Sequence, residues 1–192
     1  MESTDKPRYY VKEGKELRVA ISGSSGCGNT TVSRLLAETL DISLINYTFR
    51  TLSQEQHIPL EEIIERAKND DSFDRVVDTK QVELARESSC VLGSRLAVWM
   101  LSEADLKVFL TASPEVRARR ILNREGGDLE AIRAFTELRD REDTRRYREL
   151  YGIDNTDFSF VDLVIDTEKE LPEEIVARIL DALEKRGFIA RE

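Results

Sequence analysis

Short apolar runs alternate along this chain with longer segments whose apolar residues recur every three or four positions. Val19-Ala20-Ile21, inside Arg18–Ser22, has the length and composition of a buried parallel strand. Val32, Leu35, Leu36 and Leu40 follow at helical spacing and predict a helix over Asn29–Leu40. Ser43–Asn46 reads as a short second strand, Cys90–Gly93 as a third, Leu106–Thr111 as a fourth and Val161–Asp166 as a fifth. Polar helices fill the spaces between. Leu60, Ile63, Ile64 and Ala67 mark one, with Pro59 at its first turn. Ser72, read as an N-cap, opens another that runs to Glu87. A short helix is expected over Arg95–Leu101. Ser113-Pro114-Glu115 combines a cap, a proline and an early acid, and starts a helix reaching Asn123. Gly126-Gly127 breaks it before a second helix over Asp128–Tyr151. Pro172 opens a last amphipathic helix carrying Ile175, Val176, Ile179, Leu180 and Leu183.

This order predicts an α/β fold with a doubly wound, five-stranded parallel sheet covered by helices on both faces. Ligands of such sheets bind beyond the carboxyl ends of the strands. The most informative segment lies there, between the first strand and the first helix. Gly23, four residues, Gly28 and then Asn29-Thr30 match the phosphate-binding pattern G-x-x-x-x-G-K-[ST] everywhere except at the lysine. Glycines allow positive φ and close backbone approach, so the N–H groups of Gly23, Ser24, Ser25, Gly26, Cys27, Gly28, Asn29, Thr30 and Thr31 are candidates for cradling a phosphate at a helix N-terminus. Thr30 is the expected Mg²⁺ ligand. Asn29 brings no charge where a cation would meet the β- and γ-phosphates. A plain Gly/Ser turn is the competing reading, and the strand–loop–helix order weighs against it.

The chain has 192 residues, enough for one domain with a sizeable core. Its formal net charge of −9 argues against a general nucleic-acid binder. Cys27 and Cys90 form no metal spacing and suggest no disulfide framework. No apolar stretch approaches the roughly 20 residues of a membrane span, and Met1–Leu17 lacks a signal-peptide core. A cytoplasmic protein without nucleic-acid or membrane partners is expected. His57, the single histidine, reads as a solvated loop residue before Pro59.

Arginine is dense over residues 117–151: Arg117, Arg119, Arg120, Arg124, Arg133, Arg139, Arg141, Arg145, Arg146 and Arg148. Acids are interleaved, so a salt-bridged, solvated helix pair is one reading. An anion-gripping lid hinged at Gly126-Gly127 is the other, because the guanidinium fork binds phosphate bidentately.

The chain resembles cytidylate kinases, particularly their compact archaeal-type branch, over Arg18–Leu183. The stretches that carry the resemblance are Ile21–Val32, Phe49-Arg50, Asp74-Arg75, Gly93–Met100, Arg120–Glu125, Arg139–Tyr147 and Tyr151–Asp154. It implies a single nucleoside-monophosphate kinase domain. The core would span residues 17–46, 88–116 and 158–186, with a monophosphate-binding insertion at 47–87 and a lid with its following helix at 117–151. It implies that Arg50 and Arg95 hold the acceptor phosphate. Arg139, Asp143 and Arg146 would grip the nucleotide sugar and phosphate, and Arg120 and Arg124 would face the ATP phosphates. Asp74 and Arg75 would fall among the substrate-recognition residues. Arg120, Arg124, Arg139 and Arg146 are thereby the expected catalytic set. Two departures stand out: Asn29 for the loop lysine, and Gly93-Ser94 where Glu-Gly is expected.

The expected reaction is Mg²⁺-assisted transfer of the ATP γ-phosphoryl group to CMP or dCMP by a monomer. Positioning and charge neutralisation carry it, because the acceptor phosphate is already an anion. A degenerate nucleotide-binding protein and a kinase for another small acceptor are the alternatives.

Overall fold

The computed structural model describes residues 8–192; the first seven residues of Met1–Leu17 lie outside them. Among the described residues the chain forms β1 (Tyr9–Val11), β2 (Arg18–Gly23), α1 (Asn29–Leu40), β3 (Ser43–Ile45), α2 (Phe49–Gln56), α3 (Leu60–Ala67), α4 (Ser72–Glu87) and β4 (Cys90–Gly93). These are followed by α5 (Ala97–Met100), β5 (Leu106–Thr111), α6 (Pro114–Glu125), α7 (Leu129–Tyr151), β6 (Leu163–Asp166), α8 (Pro172–Lys185) and β7 (Ile189–Arg191).

Five strands make a parallel sheet in the order β3-β4-β2-β5-β6. β2 is its centre, with Ile21 opposite Gly93 on one side and Val108 on the other. Successive side chains of β2 serve different cores, because strand side chains alternate between faces. Val19 and Ile21 pack with Leu36, Ile179 and Leu183 of α1 and α8, whereas Ala20 packs with Ala85, Val98 and Phe109 on the other face. A separate small core, Tyr47, Leu52, Ile63 and Val77, holds α2–α4 together.

Sequence and structure differ at several boundaries. Ser72 is the first residue of α4 rather than its cap; Asp71 precedes it, and the Ser72 N–H donates instead to Asp70 Oδ1 at 2.9 Å. The helix expected from Arg95 begins only at Ala97, so Arg95 stands in the loop after β4. α6 continues to Glu125, because Gly126 with φ +75° supplies the stop. β6 begins at Leu163, where pairing with Val108 starts. α2 follows a reciprocal Thr48/Thr51 capping box. The antiparallel pair β1–β7, with Tyr9 opposite Arg191, joins the two ends of the described chain.

Candidate phosphate-transfer site

The loop after β2 opens at the carboxyl edge of the sheet, between β2 and β5, where the crossovers diverge to opposite faces. Gly26 (φ +84°) and Gly28 (φ +100°) adopt conformations that side-chain-bearing residues rarely take. Gly23 is required for space. A Cβ there would lie 2.5 Å from the Leu110 carbonyl oxygen and 2.8 Å from Asn29 Oδ1. Gly28 is the N-cap of α1 with no side-chain cap, so the helix presents its first N–H groups to the cavity. That cavity has a volume of about 680 Å³ and is walled by the loop, Arg95, Arg120, Arg124 and the segment Thr167–Pro172. Thr30 and Thr31 are exposed beside it.

Loop carbonyls are held from behind. Arg117 Nε donates to Ser25 C=O at 2.7 Å, Arg120 Nη1 to Gly26 C=O at 3.3 Å, and Thr167 Oγ1 to Cys27 C=O at 3.1 Å. The Arg120 guanidinium also donates to the hydroxyl and carbonyl of Thr167. Asn29 folds back as well, its Nδ2 donating to Gly23 C=O at 3.0 Å. Its buried Oδ1 accepts from nothing among the described residues. Burial pushes the Cys27 thiol above its ordinary value, against the opposing pull of Arg117 and Arg120.

An arginine cluster adjoins the loop. Arg95 pairs with Asp143 through Nη1 and donates from Nη2 to Ser25 Oγ at 2.8 Å. The loop that carries Arg95 is itself tied to β2. Ser22 Oγ, fully buried, donates to Ser94 C=O at 2.8 Å and accepts from Val98 N–H at 3.1 Å. Asp143 is buried, and its second oxygen meets Arg146 Nη2 at 3.3 Å. Arg146 also reaches Asp74 Oδ1 at 3.3 Å, joining α7 to α4. Burial works against the Arg146 charge, but Asp74 and Asp143 carry its pKa above the ordinary value. Arg139 is exposed and forms no ion pair or hydrogen bond among the described residues; partial loss of water around its guanidinium, and after it the Arg95 charge, holds its pKa below the ordinary value.

α4 and α7 are joined twice more. Tyr151 donates to Asp78 Oδ2 at 2.7 Å, and Arg75 lies over the Tyr151 ring while its Nη2 donates to Leu150 C=O at 2.9 Å. Burial raises the pKa values of Asp74 and Asp78.

The site therefore assembles Gly23–Thr31, Arg95, Arg139, Asp143 and Arg146 around one edge, with Asp74 and Arg75 on its far side. Arg124 is exposed at the rim and pairs with its neighbour Glu125. Arg50, exposed on α2, makes no hydrogen bond or ion pair among the described residues. Arg117 and Ser22 carry contacts that sequence alone did not single out. Ser22 reads as a strand residue, and Arg117 is one of many arginines over residues 117–151; only the burial of each could have marked it.

A charge-neutralising ion fits this donor set in one way. Among the described residues no group of three or more His, Cys, Asp or Glu side chains is placed to hold a metal. A Mg²⁺ here would come in on nucleotide phosphates, with a hydroxyl such as that of Thr30 as its protein ligand.

The description of the Cytidylate kinase-like family matches residues 18–169. A relative named Cytidylate kinase 2, from Borreliella burgdorferi, is 43% identical over 176 residues, covering 90% of this chain and 98% of the relative. A relative named Cytidylate kinase, from Archaeoglobus fulgidus, is 39% identical over 171 residues, covering 88% and 95%. Among solved structures, shikimate kinase from Acinetobacter baumannii in complex with shikimate superposes with a TM-score of 0.62 over 90% of this chain and 95% of that one. Its identity is 17%, so it shares the fold alone. Strand order, glycine loop, arginine cluster and these relatives lead to one conclusion: the chain belongs to the cytidylate kinase-like family.

Proposed function

We propose that this protein transfers the γ-phosphoryl group of ATP to CMP or dCMP, forming the nucleoside diphosphate. The observation that carries this reading is Arg95, whose guanidinium touches both the glycine loop at Ser25 and the α7 cluster at Asp143. One cation thus stands where a donor phosphate on the loop and an acceptor phosphate among Arg95, Arg139 and Arg146 would meet. The names of the relatives supply the base.

In this reading the loop amides and the N-terminus of α1 bind the β- and γ-phosphates of ATP. Arg120 and Arg124 line the donor side. Arg139, exposed and without a carboxylate partner, is free to accept phosphate charge in place of water. Asp143 orients Arg95 and Arg146 until a phosphate competes for them. Arg50, Asp74 and Arg75 lie on α2 and α4, the acceptor-binding insertion, and α6–α7 form the lid. Mg²⁺, when bound with ATP, neutralises the β- and γ-oxygens. No general base is needed, because the attacking phosphate oxygen is already anionic at neutral pH. The lid excludes water, the competing acceptor.

Asn29 alone favours a nucleotide binder without turnover, since it brings no charge. The retained arginine cluster weighs against that, because a binder has no use for a second phosphate site. ADP release measured with CMP, dCMP, UMP and AMP tests the reading. CMP- or dCMP-dependent release is expected. Release with none of the four would overturn it.

A further inference from the structure

Arg117 lies one turn before the lid arginines and is almost fully buried, with 6% exposure. Its two ends are spent on different elements. Nε donates to Ser25 C=O in the loop, and Nη2 pairs with Asp140 on α7, both at 2.7 Å. Its backbone also abuts the loop. A Cβ on Gly26 would lie 2.8 Å from the Arg117 carbonyl oxygen and 3.0 Å from its Cα.

These contacts govern which way the loop amides face. In a trans peptide the C=O of one residue and the N–H of the next point in opposite directions. Fixing Ser25 C=O toward Arg117 turns the Gly26 N–H away from it. The Thr167 hydroxyl, shared at 3.1 Å between Cys27 C=O and Thr111 C=O, acts in the same sense on Gly28 N–H when it donates to Cys27. The Cys27 N–H is occupied by Ser24 C=O at 3.1 Å, whereas the Gly26 and Gly28 N–H groups are among the loop amides left open to an anion. A guanidinium bonded to a carbonyl also polarises the peptide, which makes the following N–H a better donor. Asp140 lies one turn from Asp143 and from the rest of the acceptor-side cluster on α7. Arg117 therefore connects the donor loop to the helix that carries Arg139, Asp143 and Arg146.

We infer that Arg117 is a positioning residue for phosphoryl transfer: it orients the glycine-loop amides and stands, through the loop backbone, in part for the positive charge missing at Asn29. This rests on the proposed kinase reading and deepens it. Arg117 does not line the cavity at the loop. Its buried charge is offset by Asp140 and the Ser25 carbonyl, so its remaining water has been exchanged for contacts to the loop and to α7.

The test is a double-mutant cycle read in two assays. Equilibrium binding of ATP without acceptor, and steady-state ADP release with CMP, are measured for wild type, Arg117→Met, Arg117→Lys, Asn29→Lys and the double variant Arg117→Met/Asn29→Lys. Thermal unfolding defines the folded fraction. Arg117→Met is expected to weaken ATP binding and lower kcat, together on the order of 10²-fold, the scale for losing one preorganised donor. The KM for CMP should stay within about twofold, because Arg117 stabilises the loop rather than the acceptor pocket. Arg117→Lys, which keeps the charge but not the fork, should fall between. Asn29→Lys should rescue Arg117→Met by a larger factor than it improves wild type.

A purely structural Arg117 predicts a lower melting temperature, unchanged ATP affinity and kcat per folded molecule, and equal effects of Asn29→Lys in both backgrounds. That result would overturn the inference. If Arg117→Met does not fold, Asp140→Asn replaces it. A kcat loss with CMP KM unchanged supports the inference, and wild-type kcat refutes it. ATP binding separates this inference from the acceptor reading. If wild type binds ATP but turns over no monophosphate, the acceptor reading falls, and the Arg117 variants are still judged by their ATP affinity.

Discussion

Asn29 Nδ2 donates to the carbonyl oxygen of Gly23, 3.0 Å away, so the first residue of α1 is fastened to the first glycine of the loop. The residue that replaces a lysine thus braces the loop as well as lacking a charge. Asn29→Lys is expected to trade one effect for the other. Losing the hydrogen bond should cost about 1 kcal/mol of stability. The added cation should tighten ATP binding, with a kcat gain below the roughly 10²-fold of a wholly missing donor. Asn29→Ala should lose stability with no gain in ATP affinity. Thermal unfolding together with ATP titration reads both. Stability unchanged in both variants would remove the bracing role.

Gly23 and Gly28 should respond differently to the same methyl group. At Gly23 the new Cβ meets backbone oxygen at 2.5 Å, which cannot yield without moving β5. Gly23→Ala should destabilise the fold by about 1–3 kcal/mol or more, as overpacking does. At Gly28 nothing lies within 4 Å of the added Cβ, and only the backbone angle of +100° resists it. Gly28→Ala should cost about 1–2 kcal/mol but weaken ATP binding more than that, because the open space is the proposed phosphate site. Equal ATP affinity in folded Gly28→Ala would take Gly28 out of the site.

Ser22 offers a way to move Arg95 without touching it. Ser22→Ala leaves Ser94 C=O and Val98 N–H without their buried partner, a loss of about 1–3 kcal/mol. The KM for CMP should rise several-fold while ATP affinity stays near wild type. Arg95→Ala should raise the KM for CMP far more, with a smaller effect on ATP through its lost bond to Ser25. Steady-state kinetics with each substrate varied separates these. ATP affinity falling while CMP affinity holds would mean the two pockets are assigned the wrong way round.

Asp78 gives a pH signature. Burial raises its pKa above the ordinary 3.8, partly opposed by the Tyr151 hydrogen bond. A raised carboxyl pKa means that the folded state holds the proton more tightly, so stability rises as pH falls from the raised value toward 3.8. At neutral pH the ionised form is the less stable partner of the fold. Asp78→Asn keeps an acceptor for Tyr151 but removes the titration. The difference in unfolding free energy between wild type and Asp78→Asn should therefore shift in favour of wild type as pH drops through that window. A pH-independent difference would show that Asp78 does not titrate there.

Legibility varied with the range of the interactions. α1 begins and ends at the residues expected from the spacing of Val32, Leu35, Leu36 and Leu40, because an amphipathic helix after a glycine loop is a local feature. β2, β4 and β5 lie where short apolar runs predict, since strands buried on both faces need an unbroken apolar stretch. Ser72 and the start of α5 lie elsewhere than the local pattern predicts, because short polar segments have several competing local hydrogen bonds and tertiary packing selects one. β1 and β7 carry no local signal, for three-residue strands acquire their pairing only from a partner at the other end of the described chain.

The chemistry divides in the same way. Residue type and spacing alone specify the glycine loop, the asparagine where a lysine is expected, and the abundance of arginines. Which arginines meet one another depends on the packing of distant elements. Arg95, Asp143 and Arg146 come from a loop after β4 and from α7, and Asp74 joins them from α4. Arg117 could not be told from its neighbours until burial drew it under Ser25 while leaving Arg119 in solvent. The reason is physical: a guanidinium's role depends on which groups replace its water, and those groups are remote in sequence.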